Sequence, residues 1–305
     1  MGRYNVYMYS YKAGEALSIL SVNHLTKIVN HQMVLDEVSF EINAPGIWAL
    51  VAPSGSGKTT LLRTICHLQA ADSGTVELVG KSNQDRSVYK EVVYLQNPSI
   101  LHDDLTGYDH LKYICTAHNI HKSRINEVVK DVGIQGTFKK KIRHHTFSSK
   151  QLLLLAMALI SKSKLLLLDE PFTGLDSSSI SAVQRIFHQL KENGSSILFT
   201  SPDLTSIHQI TPHIYFLKNG KLTEINSKHY ESTYYRLHVS SPTTVKQILE
   251  DENYLVEEDG ECLLVYLEHK PLHRLMELLM SHQINIIDVQ KESHNLEQQY
   301  KEHFE

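Results

Sequence analysis

The sequence predicts an α/β protein with a parallel core sheet, followed by a smaller α+β unit, and three observations lead there. The apolar run Gly46-Ile47-Trp48-Ala49-Leu50-Val51 runs into the glycine-rich Ala52-Pro53-Ser54-Gly55-Ser56-Gly57-Lys58-Thr59-Thr60, and then into Leu61-Leu62-Arg63-Thr64-Ile65-Cys66, which has no helix breaker. That is strand, loop, helix. Leu165-Leu166-Leu167-Leu168 is apolar throughout and closes on Asp169-Glu170-Pro171, as a parallel strand covered on both faces does. From Tyr234 onward the pattern reads β-α-β-β-α-β, the order of a ferredoxin-like unit.

Taken in order, residues 1–20 read as an N-terminal extension. Ser21–Thr26 and Val38–Ile42 alternate like antiparallel strands. After the glycine-rich loop and its helix, Ala71–Gly74 is a turn, Thr75–Gly80 a strand, and Val92–Gln96 a strand ending on a glutamine. Residues 107–162 carry helical spacing in several pieces, with breaks near Asn119, Gly133 and Gly136. Lys139-Lys140-Lys141 reads as a solvated face. Pro171 stops the leucine strand, Gly174-Leu175-Asp176 is a turn, and Ser177 is placed to cap a helix running to Lys191. Ser196–Ser201 is the next strand. Ile214–Leu217 and Leu222–Glu224 form a hairpin across Asn219-Gly220.

A first domain therefore covers 21–226 and an accessory domain 232–305. The second holds a strand over Tyr234–Val239, a helix from Pro242 to about Glu250, and a hairpin across Asp259-Gly260. A helix from Pro271, a strand over Ile284–Val289 and a short helix with Leu296, Tyr300 and Phe304 complete it.

Composition excludes several classes. Of the 305 residues, 41% are hydrophobic and 21% charged, and the formal net charge is −4, so no basic surplus points to nucleic acid. Nineteen histidines are scattered without metal-ligand spacing. Three distant cysteines suit a reducing compartment rather than a disulfide scaffold. No apolar run reaches the ~18–20 residues needed to span a bilayer, and the N-terminus lacks a signal-peptide core.

The residue types in the loop explain its chemistry. A triphosphate concentrates negative charge on a small group. Gly55 and Gly57 let backbone N–H groups approach it, the following helix presents its positive end, and Lys58 reaches the β/γ phosphates as a point charge. Thr59 offers a hydroxyl to Mg²⁺. Ala52 stands where the usual first glycine is. No Asn-Lys-x-Asp motif reads guanine, so ATP is the expected nucleotide. Asp169 ends its strand where a carboxylate would meet Mg²⁺, and the adjacent Glu170 is placed to polarise an attacking water.

With these residues in view, the chain resembles the ATP-binding subunit of an ABC transporter over roughly 21–226. The motifs are the P-loop, Gln96 as the Q-loop glutamine, Asp169-Glu170-Pro171 as Walker B with the catalytic glutamate, and Asp176 in the D-loop. The resemblance implies an ABC-type P-loop ATPase domain: a parallel core sheet with an antiparallel and a helical subdomain. It also implies that Gln96 joins Thr59 and Asp169 at Mg²⁺ and joins Glu170 in catalysis. The accessory domain is similar to the extension of bacitracin- and lantibiotic-resistance ATPases. The partners implied are a membrane permease subunit and a second ATPase, as homodimer or heterodimer. The location implied is cytoplasmic, peripheral on the inner face of the membrane, with an antimicrobial or toxic peptide as cargo. Leu105–Cys115 is the stretch expected to meet the permease.

Besides Ala52, the signature segment and two single positions depart from the family pattern. The signature segment reads either as Phe147-Ser148-Ser149-Lys150-Gln151 or as Thr146-Phe147-Ser148-Ser149-Lys150-Gln151. In the second register Thr146 keeps a hydroxyl and Ser148 replaces a glycine. Pro202 stands where the switch histidine should follow Thr200-Ser201, and Val29 stands where an aromatic residue usually stacks on adenine. Losing one γ-phosphate contact costs about 3–4 kcal/mol, or ~10²–10³ in rate, so firm ATP binding with slow intrinsic turnover is expected. The alternative is a nucleotide-responsive regulator with little hydrolysis. An ABC-type protein acting on ribosomes or DNA is disfavoured by the absence of a basic stripe and of a long coiled coil.

Overall fold

Each face of the central sheet is dictated by alternation. In β3 (Ile47–Val51), Ile47, Ala49 and Val51 enter one core cluster, while Trp48 and Leu50 enter the other. In β7 (Leu165–Leu168), Leu166 and Leu168 face the first cluster and Leu165 and Leu167 the second. An uninterrupted leucine run is what a strand buried on both sides requires. The computed structural model describes residues 18–202, 204, 207, 210–226, 233–267, 270–293, 300 and 304. The expected extension before residue 18, and Leu296, lie outside them.

Among the described residues three sheets form. β1 (Leu20–Val29), β2 (Gln32–Ile42), β4 (Ser73–Leu78) and the short β5 (Lys81–Ser82) make an antiparallel sheet in the order β2-β1-β4-β5. The expected strands were shorter: β1 already starts at Leu20, within the stretch assigned to the extension, and Ile19 and Leu20 are core residues. β2 starts at Gln32 because Val29 pairs with Gln32 across Asn30-His31, both at positive φ, as a two-residue primed hairpin turn needs.

The second sheet runs β10-β9-β3-β8-β7-β6. β6 (Val92–Leu95), β7, β8 (Ser196–Ser201), β3 and β9 (His213–Lys218) are parallel, and β10 (Lys221–Asn226) closes the edge antiparallel to β9. β6 stops at Leu95, so Gln96 follows the strand rather than ending it.

Among the described residues five α-helices surround these two sheets. α1 (Lys58–Ile65) begins at the P-loop lysine itself, three residues earlier than expected. α2 (Gly107–Ala117) opens on a capping box made by Thr106 and Asp109. α3 (Arg124–Val132) ends on Gly133. α4 (Phe147–Ser161) is capped by Thr146 and buries much of its length, Leu153 to Ala156 and Ala158 to Ser161. α5 (Ser177–Glu192) is capped by Asp176, which accepts the Ser179 N–H at 2.8 Å. The expected cap, Ser177, is instead the first helical residue. An ionised carboxylate is the stronger acceptor at a helix N-terminus.

The third sheet holds β11 (Thr233–Val239), β12 (Leu255–Asp259), β13 (Cys262–Tyr266) and β14 (Ile286–Ser293) in the order β12-β13-β11-β14, all antiparallel. α6 (Pro242–Asp251) and α7 (Leu272–Ser281) cover one face, with Val245, Leu249, Leu275 and Leu279 buried against Leu237, Leu263 and Val265. This is the ferredoxin-like unit expected. Tyr300 and Phe304 pack on Phe216 of β9, with ring centroids 5.9 and 5.4 Å away.

Candidate nucleotide site

The parallel strands end side by side, and their carboxyl ends carry the site, as open α/β sheets do. β3 delivers the P-loop. Ala52 is fully buried and its N–H donates to Ser201 O, 3.3 Å away at the end of β8. Ser56 N–H turns back to Pro53 O, and Gly57 O receives the first helical bond, from Leu61. Gly57 sits at φ 105, and a Cβ there would lie 2.7 Å from Val34 Cγ1. Backbone conformation and the hairpin behind the loop both demand glycine. Pro53, Ser54 and Gly55 are exposed, while Thr60 enters α1 and is half-buried.

Lys58 is 4% exposed, and its ammonium donates to Ala52 O at 2.6 Å and Pro53 O at 3.0 Å. Glu170 Oε1 stands 3.8 Å from it. Burial pulls the Lys58 pKa below its ordinary value, while the charges of Glu170 and Asp169 act the other way. The lysine is held by its own loop, with carboxylates opposite.

Asp169 follows β7 directly. Its N–H donates to Leu95 O at 2.8 Å, and Leu95 pairs with Leu168, so Gln96 lies one step on, beside Asp169. Asp169 Oδ2 accepts the Thr59 hydroxyl at 2.7 Å, and Oδ1 accepts the Thr200 hydroxyl at 2.7 Å. Thr200 Oγ1 in turn accepts the Glu170 N–H at 2.9 Å. Glu170 adopts φ 49, uncommon for a residue with a side chain. Its carboxylate accepts the Thr173 hydroxyl at 3.3 Å, and its carbonyl accepts the Gln151 side-chain amide at 3.2 Å.

These residues fit a metal-bound triphosphate. Ser56 Oγ is buried in the loop with no hydrogen-bond partner, a donor available to a phosphate oxygen. Thr59, Asp169 and Gln96 supply only oxygen ligands, the hard donor set that Mg²⁺ takes.

The signature segment lies apart from this pocket, at the start of α4. Thr146 caps the helix by accepting Ser149 N–H at 3.2 Å, so its hydroxyl is used within the segment. Phe147 is 49% exposed. Ser148 Oγ donates to Gly174 O at 2.7 Å, and Ser149 Oγ contacts His145 Nδ1 and Thr137 Oγ1. Asp176 lies two residues beyond Gly174, its pKa lowered mainly by the Ser179 N–H it accepts. The sequence reading missed Thr200 and Thr173 as supports of the acids. A threonine closing the otherwise apolar Ile197-Leu198-Phe199 was the only signal for the first.

A glycine-rich loop before a helix, with two acids at the end of a neighbouring parallel strand, defines a P-loop nucleotide-binding protein. The family model for ABC transporters matches residues 35–173. The chain is 28% identical over 215 residues to the lantibiotic transport ATP-binding protein SrtF of Streptococcus pyogenes, covering 70% of this chain and 93% of that protein. It is 27% identical over 292 residues to the bacitracin transport ATP-binding protein BcrA of Bacillus licheniformis, covering 92% and 95%. A solved ATP-binding subunit of an ABC transporter superposes with a TM-score of 0.64 at 20% identity, over 85% of this chain and 99% of that one. The chain is also 31% identical over 210 residues to the ABC transporter ATP-binding protein YcbN of Bacillus subtilis, covering 68% of each chain, and it belongs to the ABC transporter ATP-binding family. Among the described residues no helix is long and apolar enough to cross a membrane.

Proposed function

We propose that the chain hydrolyses Mg·ATP to drive a membrane exporter of antimicrobial or toxic peptides, working with a permease subunit and a second ATPase of the same fold. It would sit in the cytoplasm, on the inner face of the membrane. The observation that supports this best is the convergence on one pocket of Lys58, Thr59, Asp169 and Glu170, with Thr59 2.7 Å from Asp169 and Lys58 3.8 Å from Glu170.

The roles follow from chemistry. Lys58 exchanges the Ala52 and Pro53 carbonyls for phosphate oxygens, a charge-assisted contact and so a stronger one. Glu170 orients and polarises the attacking water. Mg²⁺, held by Thr59, Asp169 and Gln96, would neutralise charge developing on the phosphates. Thr146 to Ser149 would complete the ATP site of the partner ATPase, while this chain's own ATP would meet the partner's signature. The export reading rests on the likeness to SrtF and BcrA, named for lantibiotic and bacitracin transport, and on no residue here that reads cargo.

The test is steady-state ATPase of the chain, alone and assembled with its permease subunit in vesicles. Turnover that disappears with Glu170→Gln supports the reading; turnover unchanged by that variant overturns it. A second reading, a nucleotide-responsive regulator, is favoured by Pro202 at the switch position and by the altered signature. Tight Mg·ATP binding with no turnover in any assembly selects it.

A further inference from the structure

The segment Glu170–Gly174 is held at both ends by one helix. At its start, Gln151 Nε2 donates to Glu170 O at 3.2 Å. At its end, Ser148 Oγ donates to Gly174 O at 2.7 Å. Ser148 and Gln151 are three positions apart, so they share one face of α4. The contact at Gly174 is close. A Cβ there would lie 2.6 Å from Phe147 Cδ1, and the residue sits at φ 73. Glycine is the residue that satisfies both constraints.

The held segment is braced internally. Thr173 N–H donates to Glu170 O and Leu175 N–H to Phe172 O, both at 3.2 Å. Thr173 Oγ1 donates to the Glu170 carboxylate at 3.3 Å. A short path of bonded groups therefore runs from Ser148, through Gly174 and Thr173, to the carboxylate that faces Lys58. Gln151 is 4% exposed, and its Oε1 is buried without a partner. Leaving such an acceptor unpaired costs stability, which the structure accepts while keeping the donor on Glu170 O.

We infer that Ser148 and Gln151 are positioning residues that tie the signature turn of α4 to Glu170 of the same chain. This rests on the ATP-site reading above and deepens it. The signature turn serves the ATP of the opposite subunit and Glu170 serves its own, so the bracket is a route by which occupancy of one site is felt at the other. In the register that begins at Thr146, Ser148 stands where the family pattern has a glycine, which could make no such bond. The coupling is a property of this sequence rather than of the motif it replaces.

Hydrogen–deuterium exchange on the full chain, with and without saturating Mg·ATP, tests this. Protection of residues 52–60 reports that the P-loop is filled. The expected result is a slowing of exchange over residues 146–151 by about fivefold or more in the native chain. It should be lost when Ser148→Gly and Gln151→Met are combined, and kept in Ser148→Thr, which restores a hydroxyl. Protection of 146–151 that persists in the double variant overturns the inference, because a contact across a dimer would then carry it. So does a filled P-loop with no change at 146–151 in the native chain. A P-loop that gains no protection removes the ATP-site reading itself. If the double variant does not fold, Ser148→Ala alone should reduce the effect at 146–151, and no reduction overturns the inference.

Discussion

Thr200 Oγ1 donates to Asp169 Oδ1 at 2.7 Å, and the same oxygen accepts the N–H of the next acid, Glu170, at 2.9 Å. One hydroxyl from β8 thus sets the relation between two acids that end β7. Thr200 is fully buried, so bulk water does not replace it. The bond also orients Asp169 so that its other oxygen faces Thr59.

Thr200→Val keeps the shape and removes the hydroxyl, leaving a carboxylate oxygen and an amide without their partner. A buried polar group left unpaired costs about 1–3 kcal/mol. We expect unfolding at lower denaturant and Mg·ATP binding weakened several-fold, with Thr200→Ser restoring both. Calorimetric titration and equilibrium unfolding check this, and native-like values for the valine variant would refute it.

How much of this was legible in sequence depends on how local each pattern is. The P-loop, the leucine strand and the β-α-β-β-α-β rhythm are encoded by neighbours, and they appear as read. Thr200 is different. Its role exists only because β8 lies beside β7, a pairing that nothing near residue 200 announces. The start of β2 was hidden because Asn30-His31 makes a primed turn without the glycine that usually marks one. Asp176 displaced Ser177 as the α5 cap because two adjacent residues both suit the role and only the backbone decides between them. The anchor made by Tyr300 joins positions 98 residues apart, beyond the reach of any pattern along the chain.

That anchor makes its own prediction. Tyr300 Oη donates to Pro202 O at 2.9 Å, and the Tyr300 and Phe304 rings meet at a tilt, 4.6 Å between centroids, while both pack on Phe216. Tyr300 is thereby fixed to the position where a switch histidine would stand. Tyr300→Phe removes one hydrogen bond and should cost about 0.5–1.5 kcal/mol. Phe304→Ala removes two aromatic contacts, each worth about 0.5–1.5 kcal/mol beyond burial, and should cost more. Denaturant midpoints of the two variants check the order; equal, native midpoints would refute it.

His145 gives the fold a pH dependence. It is buried, with Nε2 3.2 Å from Lys140 O and Nδ1 2.9 Å from Ser149 Oγ. The carbonyl needs a donor, so Nε2 carries the proton and Nδ1 accepts from Ser149. Burial lowers the His145 pKa, and the nearby charges of Lys150 and Lys140 add to that. An unfolded histidine titrates near ~6.5. With the folded value below it, stability is full above that pH and is lost as pH falls through the folded value. The thermal midpoint should drop between pH 7.5 and 5.5 by more in the native chain than in His145→Gln, which cannot titrate. Identical drops would refute a role for His145.

Pro202 invites the reverse experiment, restoring a group rather than removing one. It follows Thr200 and Ser201 at the end of β8, within reach of the same strand ends that carry Asp169 and the P-loop. Tyr300 holds its carbonyl, which every residue has, so Pro202→His leaves that anchor in place. An imidazole there adds a donor for the γ-phosphate, in a reaction where positioning and charge stabilisation supply most of the barrier lowering. One such donor is worth ~10²–10³ in rate in an ordered site. We expect turnover to rise about tenfold or more, with Mg·ATP affinity changed far less, and the gain to vanish when Glu170→Gln is added. Steady-state ATPase beside calorimetric affinity separates the two quantities. A histidine variant that binds ATP more tightly without faster turnover would show that a missing switch residue is not what limits this site.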